Sequence, residues 1–332
     1  MGTEHNSSTG TRHRGHPPGK QEKKNISGLP SHRQRIARGL AFPVSKQIME
    51  ESSSKLNQDE QQASTVHFSD VREPRRDIYR RVLELRETVI EDGLRCWQII
   101  QAIFEDALLR LDPKRFGLSI VYARLMPPRE DGIHALYELE MRGSYPWPYT
   151  LESKTYLGST TLAGTAAMLQ RMQQWDDLDG SGRLQIMVDD LERSACAQPV
   201  MYAGRMAGVL VVSCTQPRFF IDEAVCHSVV EYARLLTLAL NDRDFYPCSQ
   251  IQLKPMPDLQ WQREELSHTY VGRVVTCACK GNLSLPEAEE QVRQEMEEEF
   301  ERSECRRQQE VRLASDCIPL FDKEEFQTYA AL

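Results

Sequence analysis

The sequence predicts an α+β domain built around an antiparallel sheet, and three features of the chain lead to this prediction. Between residues 116 and 141, apolar and polar side chains alternate on both sides of a Pro-Pro-Arg-Glu-Asp-Gly turn, which is typical of a β-hairpin. Helical spacing follows over residues 160–175, and a closing amphipathic helix is predicted over residues 222–241. The regular strand-helix alternation of a parallel nucleotide-binding sheet is absent.

A single long helix is predicted before the sheet. Apolar residues recur three or four positions apart over residues 77–111, and the pattern ends at Asp112-Pro113. Such a helix would be about 50 Å long, which is more than a small domain needs for its own packing. We therefore assign residues 73–112 to one amphipathic helix and expect part of it to meet a second copy, as in a coiled coil, which would give a homodimer.

The remaining elements of the domain follow from local patterns. The first strand carries Phe116, Leu118, Ile120 and Tyr122 at alternate positions, and the second alternates over residues 133–141. The helix over residues 160–175 has Ser159 or Thr160 as its candidate cap. Short strands are predicted at residues 184–188, 199–202 and 207–214.

Both ends of the chain differ in composition from its middle. Residues 1–72 are polar and basic, with almost no aromatic residues in the first 64, so we predict a disordered tail. Residues 246–332 form a mostly helical extension, with an acidic helix near 285–312 opened by a capping box at Ser284. That helix has a narrow apolar stripe and is expected to dock lightly or stand in solvent; the stripe comprises Ala288, Val292, Met296 and Phe300.

The composition favours a cytoplasmic protein. No stretch approaches the length of apolar sequence needed to span a membrane, and the N-terminus lacks the apolar segment of a secretory signal. The nine cysteines form no regular framework, so reduced thiols are expected.

Residues 1–46 carry nine Lys/Arg against two glutamates, which permits weak nucleic-acid association, although a solvated tail is the simpler interpretation.

Two loops resemble ligand-binding motifs. Gly204 and Gly208 lie four residues apart, but the Gly-Lys-Ser/Thr sequence that ends a phosphate-binding loop does not follow them. We therefore interpret Gly204 as a turn residue with positive φ, and Gly208 as a residue of a central strand where another backbone approaches closely. Residues 177–184 match the start of a calcium-binding EF-hand loop. Val188 occupies the position of the bidentate glutamate, so an Asp/Gly turn is favoured and calcium binding stays open.

Thiol and metal chemistry are weaker candidates. Cys196, Cys214 and Cys226 fall inside the domain, but a reactive thiol needs a neighbouring cation or a helix N-terminus, and small buried cysteines are common in cores. Cys277 and Cys279 form a Cys-x-Cys pair near His268 without a second paired cluster, so no metal is predicted.

An aromatic loop is the candidate ligand site. Tyr145, Trp147 and Tyr149 alternate with prolines, which would hold aromatic faces and polar tips rigidly around a small molecule. We add Tyr122 of the first strand to this candidate pocket. The competing interpretation is that these aromatics cap the sheet.

Residues 199–240 resemble the C-terminal half of a GAF domain. That family ends with a proline-led strand, a glycine turn, an "aGvL.v.S" strand, "p..F" with an acidic helix cap, and a long final helix ending in Ala-Leu. The matching positions are Pro199, Gly204, Gly208, Val209, Leu210, Ser213, Phe219, Phe220, Asp222, Glu223, Ala233, Ala239 and Leu240. The earlier hairpin and helix also fit, so the resemblance extends over residues 115–243.

The resemblance implies a fold and a class of function. It implies a six-stranded antiparallel sheet with helices on both faces, a small-molecule pocket on one face, and dimerisation through flanking helices. GAF domains are regulatory, so we expect a non-enzymatic sensor that signals through a separate output protein. The sequence identifies neither cofactor nor ligand. Two alternatives stay open: a thiol-dependent reductase of the free-methionine-sulfoxide type, and a nucleic-acid-associated regulator that uses the basic tail.

Overall fold

The computed structural model describes residues 74–151, 154–176 and 190–316. The predicted tail at 1–72, the calcium-like loop at 177–182 and the strand predicted at 184–188 lie outside these residues. Within them, the α+β prediction is confirmed, because one antiparallel sheet carries helices on both faces.

The sheet has a central path of six strands in the order β3-β2-β1-β6-β5-β4, and a short β7 pairs with the start of β6. All pairings between these strands are antiparallel. The strands are β1 (Leu118–Leu125), β2 (Leu136–Gly143), β3 (Tyr156–Leu157), β4 (Gln173–Asp176), β5 (Ser194–Tyr202), β6 (Arg205–Cys214) and β7 (Tyr246–Pro247). The described α-helices are α1 (Arg76–Thr88), α2 (Asp92–Leu111), α3 (Leu162–Leu169), α4 (Glu223–Leu236), α5 (Leu259–Gly281) and α6 (Leu285–Asp316).

The single helix predicted over residues 73–112 is wrong, because two helices stand in its place. Glu91 caps α2, and its carboxylate accepts hydrogen bonds from the backbone N–H groups of Gly93 (3.0 Å) and Leu94 (2.6 Å). Both helices pack into the same core, through residues such as Val82 and Ile99. Since each helix buries one face with the same period, the apolar pattern runs on through the break.

The helix predicted over residues 160–175 is also shorter than expected. Thr161, rather than Ser159 or Thr160, caps α3, since its hydroxyl accepts from the backbone N–H of Gly164 at 3.0 Å. Gln170 takes a left-handed conformation with φ of 54° and ends the helix. The residues that follow form edge strand β4 instead.

Two helical layers cover the sheet. On one face, α1, α2 and α4 pack against alternate strand residues that include Ile120, Tyr122 and Val212. On the other face, α3 packs against Ala123 and Val209. No helix in the described residues is both long enough and apolar enough to cross a membrane.

The two glycines of the β5–β6 hairpin have different roles. Ala203 and Gly204 both have positive φ, at 49° and 73°, and form the tight turn between the strands. Gly208 lies inside β6, where an added Cβ would come within 2.2 Å of the Ala123 carbonyl oxygen. Both predictions for these glycines are therefore confirmed.

The C-terminal helices pack closely against the sheet. The acidic helix α6 begins where its capping box predicts, with the Ser284 backbone N–H donating to Glu287 at 2.8 Å. Its apolar stripe is buried against β2, β3 and α5, so the expectation that it docks lightly or stands in solvent is wrong. The narrow stripe suffices because aromatic residues extend the contact: the Tyr156 ring meets Phe300 edge to face, with ring centroids 5.5 Å apart, and Tyr137 lies in the same cluster.

Helix α5 lies in the C-terminal extension that the sequence predicts to be mostly helical, although its bounds are not predicted, and it closes one edge of the sheet. The buried Gln262 side chain pairs with the backbone of edge strand β3: Tyr156 N–H donates to its Oε1 at 2.8 Å, and its Nε2 donates to the Tyr156 carbonyl at 3.0 Å. The side chain therefore takes the place of a further strand and joins the C-terminal segment to the domain.

Candidate functional site

A cavity of about 520 Å³ lies on the sheet face that carries α3. Its wall is mainly apolar, with contributions from Val121, Met141, Trp147, Pro148, Leu151, Leu157, Leu162, Ala163, Leu191, Val211 and Leu259. Polar groups interrupt this surface at Ser119, Glu138, Thr161, Glu192, Ser213, Arg263, Glu264 and Ser267. The sheet, the aromatic loop after β2, α3 and α5 thus all contribute to one site.

Strand register builds the floor of the cavity. Ser119 lies opposite Ser213, and Val121 lies opposite both Val211 and Met141 in the antiparallel pairings. Because alternate residues of a strand point to the same face, these side chains form one continuous surface. The floor therefore has an apolar centre with a pair of hydroxyls at one end.

Hydrogen bonds orient two of the carboxylates in the wall. The buried Glu138 accepts through Oε2 from the Thr155 backbone N–H (3.0 Å) and from its hydroxyl (2.6 Å). Glu192 accepts through Oε2 from the Ser213 hydroxyl at 2.6 Å. Such contacts fix the side-chain rotamers before any ligand arrives, so the polar part of the site is preorganised.

Helix α5 supplies a complete wall of the cavity. Leu259, Arg263, Glu264 and Ser267 recur at helical spacing and face the sheet across the cavity. Asp258 caps the start of the helix, and its side chain accepts from two backbone N–H groups of the first turn. The sequence signals for this helix are its Asp cap and the residues at intervals of four that follow, namely Leu266, Tyr270, Val274 and Ala278.

Comparisons with known proteins find similarity at the level of structure. No family model matches the chain, and a search of curated proteins finds no match. A solved GAF domain from an Acinetobacter phosphoenolpyruvate-protein phosphotransferase is 18% identical, with a TM-score of 0.35, over 49% of this chain and 90% of that one. The GAF-B domain of DevS from Mycobacterium smegmatis is 21% identical, with a TM-score of 0.31, over 43% and 91%.

A solved free methionine-R-sulfoxide reductase from Neisseria meningitidis, in complex with its substrate, is also similar. It is 15% identical, with a TM-score of 0.34, over 49% of this chain and 86% of that one.

The architecture itself matches what the resemblance of residues 199–240 implies. A six-stranded antiparallel path, helical layers on both faces and a cavity on one face all occur in this domain. The fold is GAF-like.

The residues predicted for the pocket lie in different places in the GAF-like domain. Trp147 lines the cavity. Tyr145 is 89% exposed, and Tyr149 is 59% exposed with the Arg142 guanidinium 4.5 Å from its ring centroid, so neither contributes to the wall. Tyr122 is buried on the opposite sheet face, where its hydroxyl donates to the Ala207 carbonyl at 3.4 Å.

The cysteines of the GAF-like domain lie away from the cavity. Cys196 and Cys226 are hydrogen-bonded to each other on the opposite face, and this bond, together with burial, raises the pKa of Cys196. The same bond lowers the pKa of Cys226, whose thiol donates to the Phe220 carbonyl at 3.1 Å. Burial raises the pKa of Cys214 to about 12. No cysteine of the described residues lines the cavity.

Potential metal ligands remain dispersed. Across residues 74–151, 154–176 and 190–316, no three His, Cys, Asp or Glu side chains come together as a metal site would require. His268, Cys277 and Cys279 all lie on α5, and they do not gather into such a group.

Proposed function

We propose that this protein is a non-enzymatic regulatory module that binds a small molecule in the cavity. The observation that carries the proposal is the cavity itself, whose volume of about 520 Å³ lies within the ordinary range for small-molecule sites. Its composition, a mainly apolar wall with a few oriented polar groups, is also what such sites require. The GAF-like fold supports a sensory or regulatory role at the same coarse level.

The placement of the thiols favours binding over thiol-dependent reduction. A nucleophilic cysteine must contact its substrate, and thiolates rather than thiols carry out the attack. Cys196 and Cys214 are buried on the far side of the sheet, and their raised pKa values keep them protonated at neutral pH. A substrate held in the cavity would be separated from them by the sheet.

Filling the cavity should abolish ligand retention. We expect that Val211→Trp places an indole ring over the floor and displaces the ligand, because Val211 lies at its apolar centre. Native mass spectrometry of protein purified from its own host should show extra mass on the wild type and none on the variant. The matched control is Val271→Trp on α5, which is 73% exposed and outside the cavity wall. Wild-type protein with only the polypeptide mass would contradict the proposal.

We also infer that the domain forms a homodimer through α1 and α2. Large apolar side chains along these helices and the break between them are more than a third exposed: Tyr79, Leu83, Ile90, Leu94 and Trp97. A second copy of the same surface would remove them from water, and two-fold contacts are the commonest way in which identical chains associate.

Charges introduced at this surface should produce monomers. We expect Leu94→Glu combined with Trp97→Glu to halve the mass measured by light scattering, since burying unpaired carboxylates would oppose association. Val271→Glu, on the surface of α5, is the control and should leave the mass unchanged. A wild-type protein of monomer mass would refute the homodimer.

The signal would pass from the cavity to a separate output protein. A ligand in the cavity can change how the helices of the domain pack only if it binds one packing arrangement more tightly than another. Helix α5 offers a direct route, because it contacts the cavity on one side and α6 on the other.

A further inference from the structure

Two buried thiols lie side by side where α4 packs against β5. Cys196 belongs to β5 and Cys226 to the start of α4, and both are part of the core on the sheet face opposite the cavity. Gln174 of edge strand β4 connects them: it is the cross-strand neighbour of Cys196, and its Nε2 donates to the Cys226 sulfur at 2.9 Å. Opposed side chains of an antiparallel pair are about 4.5–5.5 Å apart. Together with the hydrogen bond between the thiols, this arrangement makes the two sulfurs direct neighbours.

The third buried cysteine of this core is placed differently. Cys214 lies on β6, and the pairing of β5 with β6 puts Val212, not Cys214, opposite Cys196. Cys214 is therefore a diagonal neighbour, at a side-chain separation of about 7 Å. A disulfide requires Cβ atoms about 3.5–4.5 Å apart. Of these three cysteines, Cys196 and Cys226 are thus the pair in contact.

Cys226 is the more accessible and the more reactive thiol of the pair. Cys196 is 0% exposed, whereas Cys226 is 9% exposed and lies against the exposed side chain of Gln174. The hydrogen bond from Cys196 lowers the pKa of Cys226, although burial and the carboxylates of Asp222 and Glu223 oppose this shift. Oxidants react with the thiolate form of cysteine. A small oxidant that reaches this edge of the sheet would therefore react first at Cys226.

We propose that Cys226 is a peroxide-reactive site and that Cys196 converts its oxidised form into a disulfide between α4 and β5. In the first step the Cys226 thiolate attacks one oxygen of hydrogen peroxide, the O–O bond breaks, and a sulfenic acid forms while the other oxygen takes up a proton and leaves as water. In the second step the Cys196 sulfur attacks the sulfenic sulfur, and the hydroxyl leaves as water with the thiol proton. Two thiols lose two electrons, and the peroxide is reduced. Neither step needs a ligand in the cavity, because both thiols lie on the opposite face of the sheet.

Peptide mapping of the full chain detects this bond directly. Reduced protein would be treated with a small molar excess of hydrogen peroxide, blocked with N-ethylmaleimide during denaturation and digested with trypsin. Trypsin cleaves between the three buried cysteines and places them on separate peptides, which span residues 194–205, 206–218 and 219–234. We expect the first and third peptides to be joined by a disulfide that dithiothreitol separates, and the second, with Cys214, to carry the maleimide.

Serine variants assign the order of the two steps. In Cys196→Ser the reaction should stop at the sulfenic acid of Cys226, which dimedone traps. In Cys226→Ser the oxidation of Cys196 should be at least about tenfold slower than in the wild type, because the reactive thiolate is gone. Cys214→Ser is the matched control in the same core, and it should leave the bond between Cys196 and Cys226 unchanged. Circular dichroism before oxidation checks that each variant is folded, and the wild-type peptide map decides the question if one is not.

Three results would overturn the proposed disulfide. If Cys226 carries the maleimide after peroxide treatment, it is not a reactive site. If Cys196 is found joined to Cys214 instead, the sheet permits a contact that its register excludes. If Cys226 is oxidised beyond the sulfenic acid while Cys196 stays reduced, Cys196 does not complete the second step.

Discussion

Replacing Gly208 by alanine is expected to destabilise the domain by about 3 kcal/mol, the upper end of the usual cost of overpacking, because the new methyl group has no space. It would lie 2.2 Å from the Ala123 carbonyl oxygen and 2.9 Å from Arg124 Cα, and both are backbone atoms of β1. Relieving the overlap would require β1 and β6 to separate at the centre of the sheet, where they are paired over seven residues. Urea denaturation followed by circular dichroism would measure the loss of unfolding free energy.

The neighbouring glycine provides the control for this prediction. An alanine at Gly204 would meet no atom within 4 Å, so it carries only the backbone cost of a left-handed conformation at φ +73°. That cost is about 1–2 kcal/mol. Equal losses for Gly204→Ala and Gly208→Ala would show that crowding between the strands does not govern position 208.

Replacing Arg129 by glutamine is expected to lower the free energy of unfolding strongly at alkaline pH and much less at acidic pH. Arg129 pairs with Glu297 at 3.0 Å and with Glu301 at 2.9 Å, where α6 meets the loop between β1 and β2. Glu297 is 2% exposed, so Arg129→Gln would leave a buried carboxylate without its cation. The expected cost is about 3 kcal/mol at pH 8.

The pH dependence follows from the pKa of Glu297. Burial raises this pKa from 4.5 to about 7; Arg129 opposes the rise, and Glu301 and Glu298 reinforce it. The folded state therefore holds this proton more tightly than the unfolded state does. The resulting stabilisation is fully present below pH 4.5 and is lost as the pH rises through about 7. At pH 5 the Glu297 carboxyl of the variant is protonated, so this buried group no longer needs a cation.

Unfolding free energies of wild type and Arg129→Gln at pH 5 and pH 8 test this account. The matched control is Arg273→Gln on α5. It breaks a more exposed ion pair, at 2.7 Å, with Glu299 of α6, the helix that also carries Glu297. It should cost less than about 1 kcal/mol at either pH. Glu297→Gln should remove the pH-dependent part of the difference. An equal cost of Arg129→Gln at both pH values would contradict the assignment to Glu297.

The sequence predicts strands β1, β2 and β6 and the closing helix well, because their signals are local. Gly208 occurs in a strand that is apolar on both faces, and Asp222 caps α4 as expected, accepting from the Ala224 backbone N–H at 2.9 Å. The break at Glu91 is hidden because α1 and α2 bury faces of the same period against one core. Two consecutive helices that pack against one core can therefore show the same apolar periodicity as a single long helix.

The candidate site is harder to predict, for two physical reasons. Helices cover both faces of the sheet. The alternation of side chains along β1 places Tyr122 and Val121 on opposite faces, but it does not indicate which face carries the cavity. Helix α5 is anchored by a buried polar residue, Gln262, and its cavity face carries Arg263 and Glu264. Apolar periodicity therefore gives a weak signal for the helix that forms a whole wall of the site.

The hydrogen bonds between Gln262 and Tyr156 make helix α5 part of the folded unit. The resemblance that residues 199–240 carry ends near residue 243, before α5 begins. A protein truncated there would lose one wall of the cavity, and the backbone of β3 would be free to pair with another chain. Helix α5 is thus as much a part of the cavity wall as the sheet is, and truncation near residue 243 is expected to produce an aggregating protein with an open cavity.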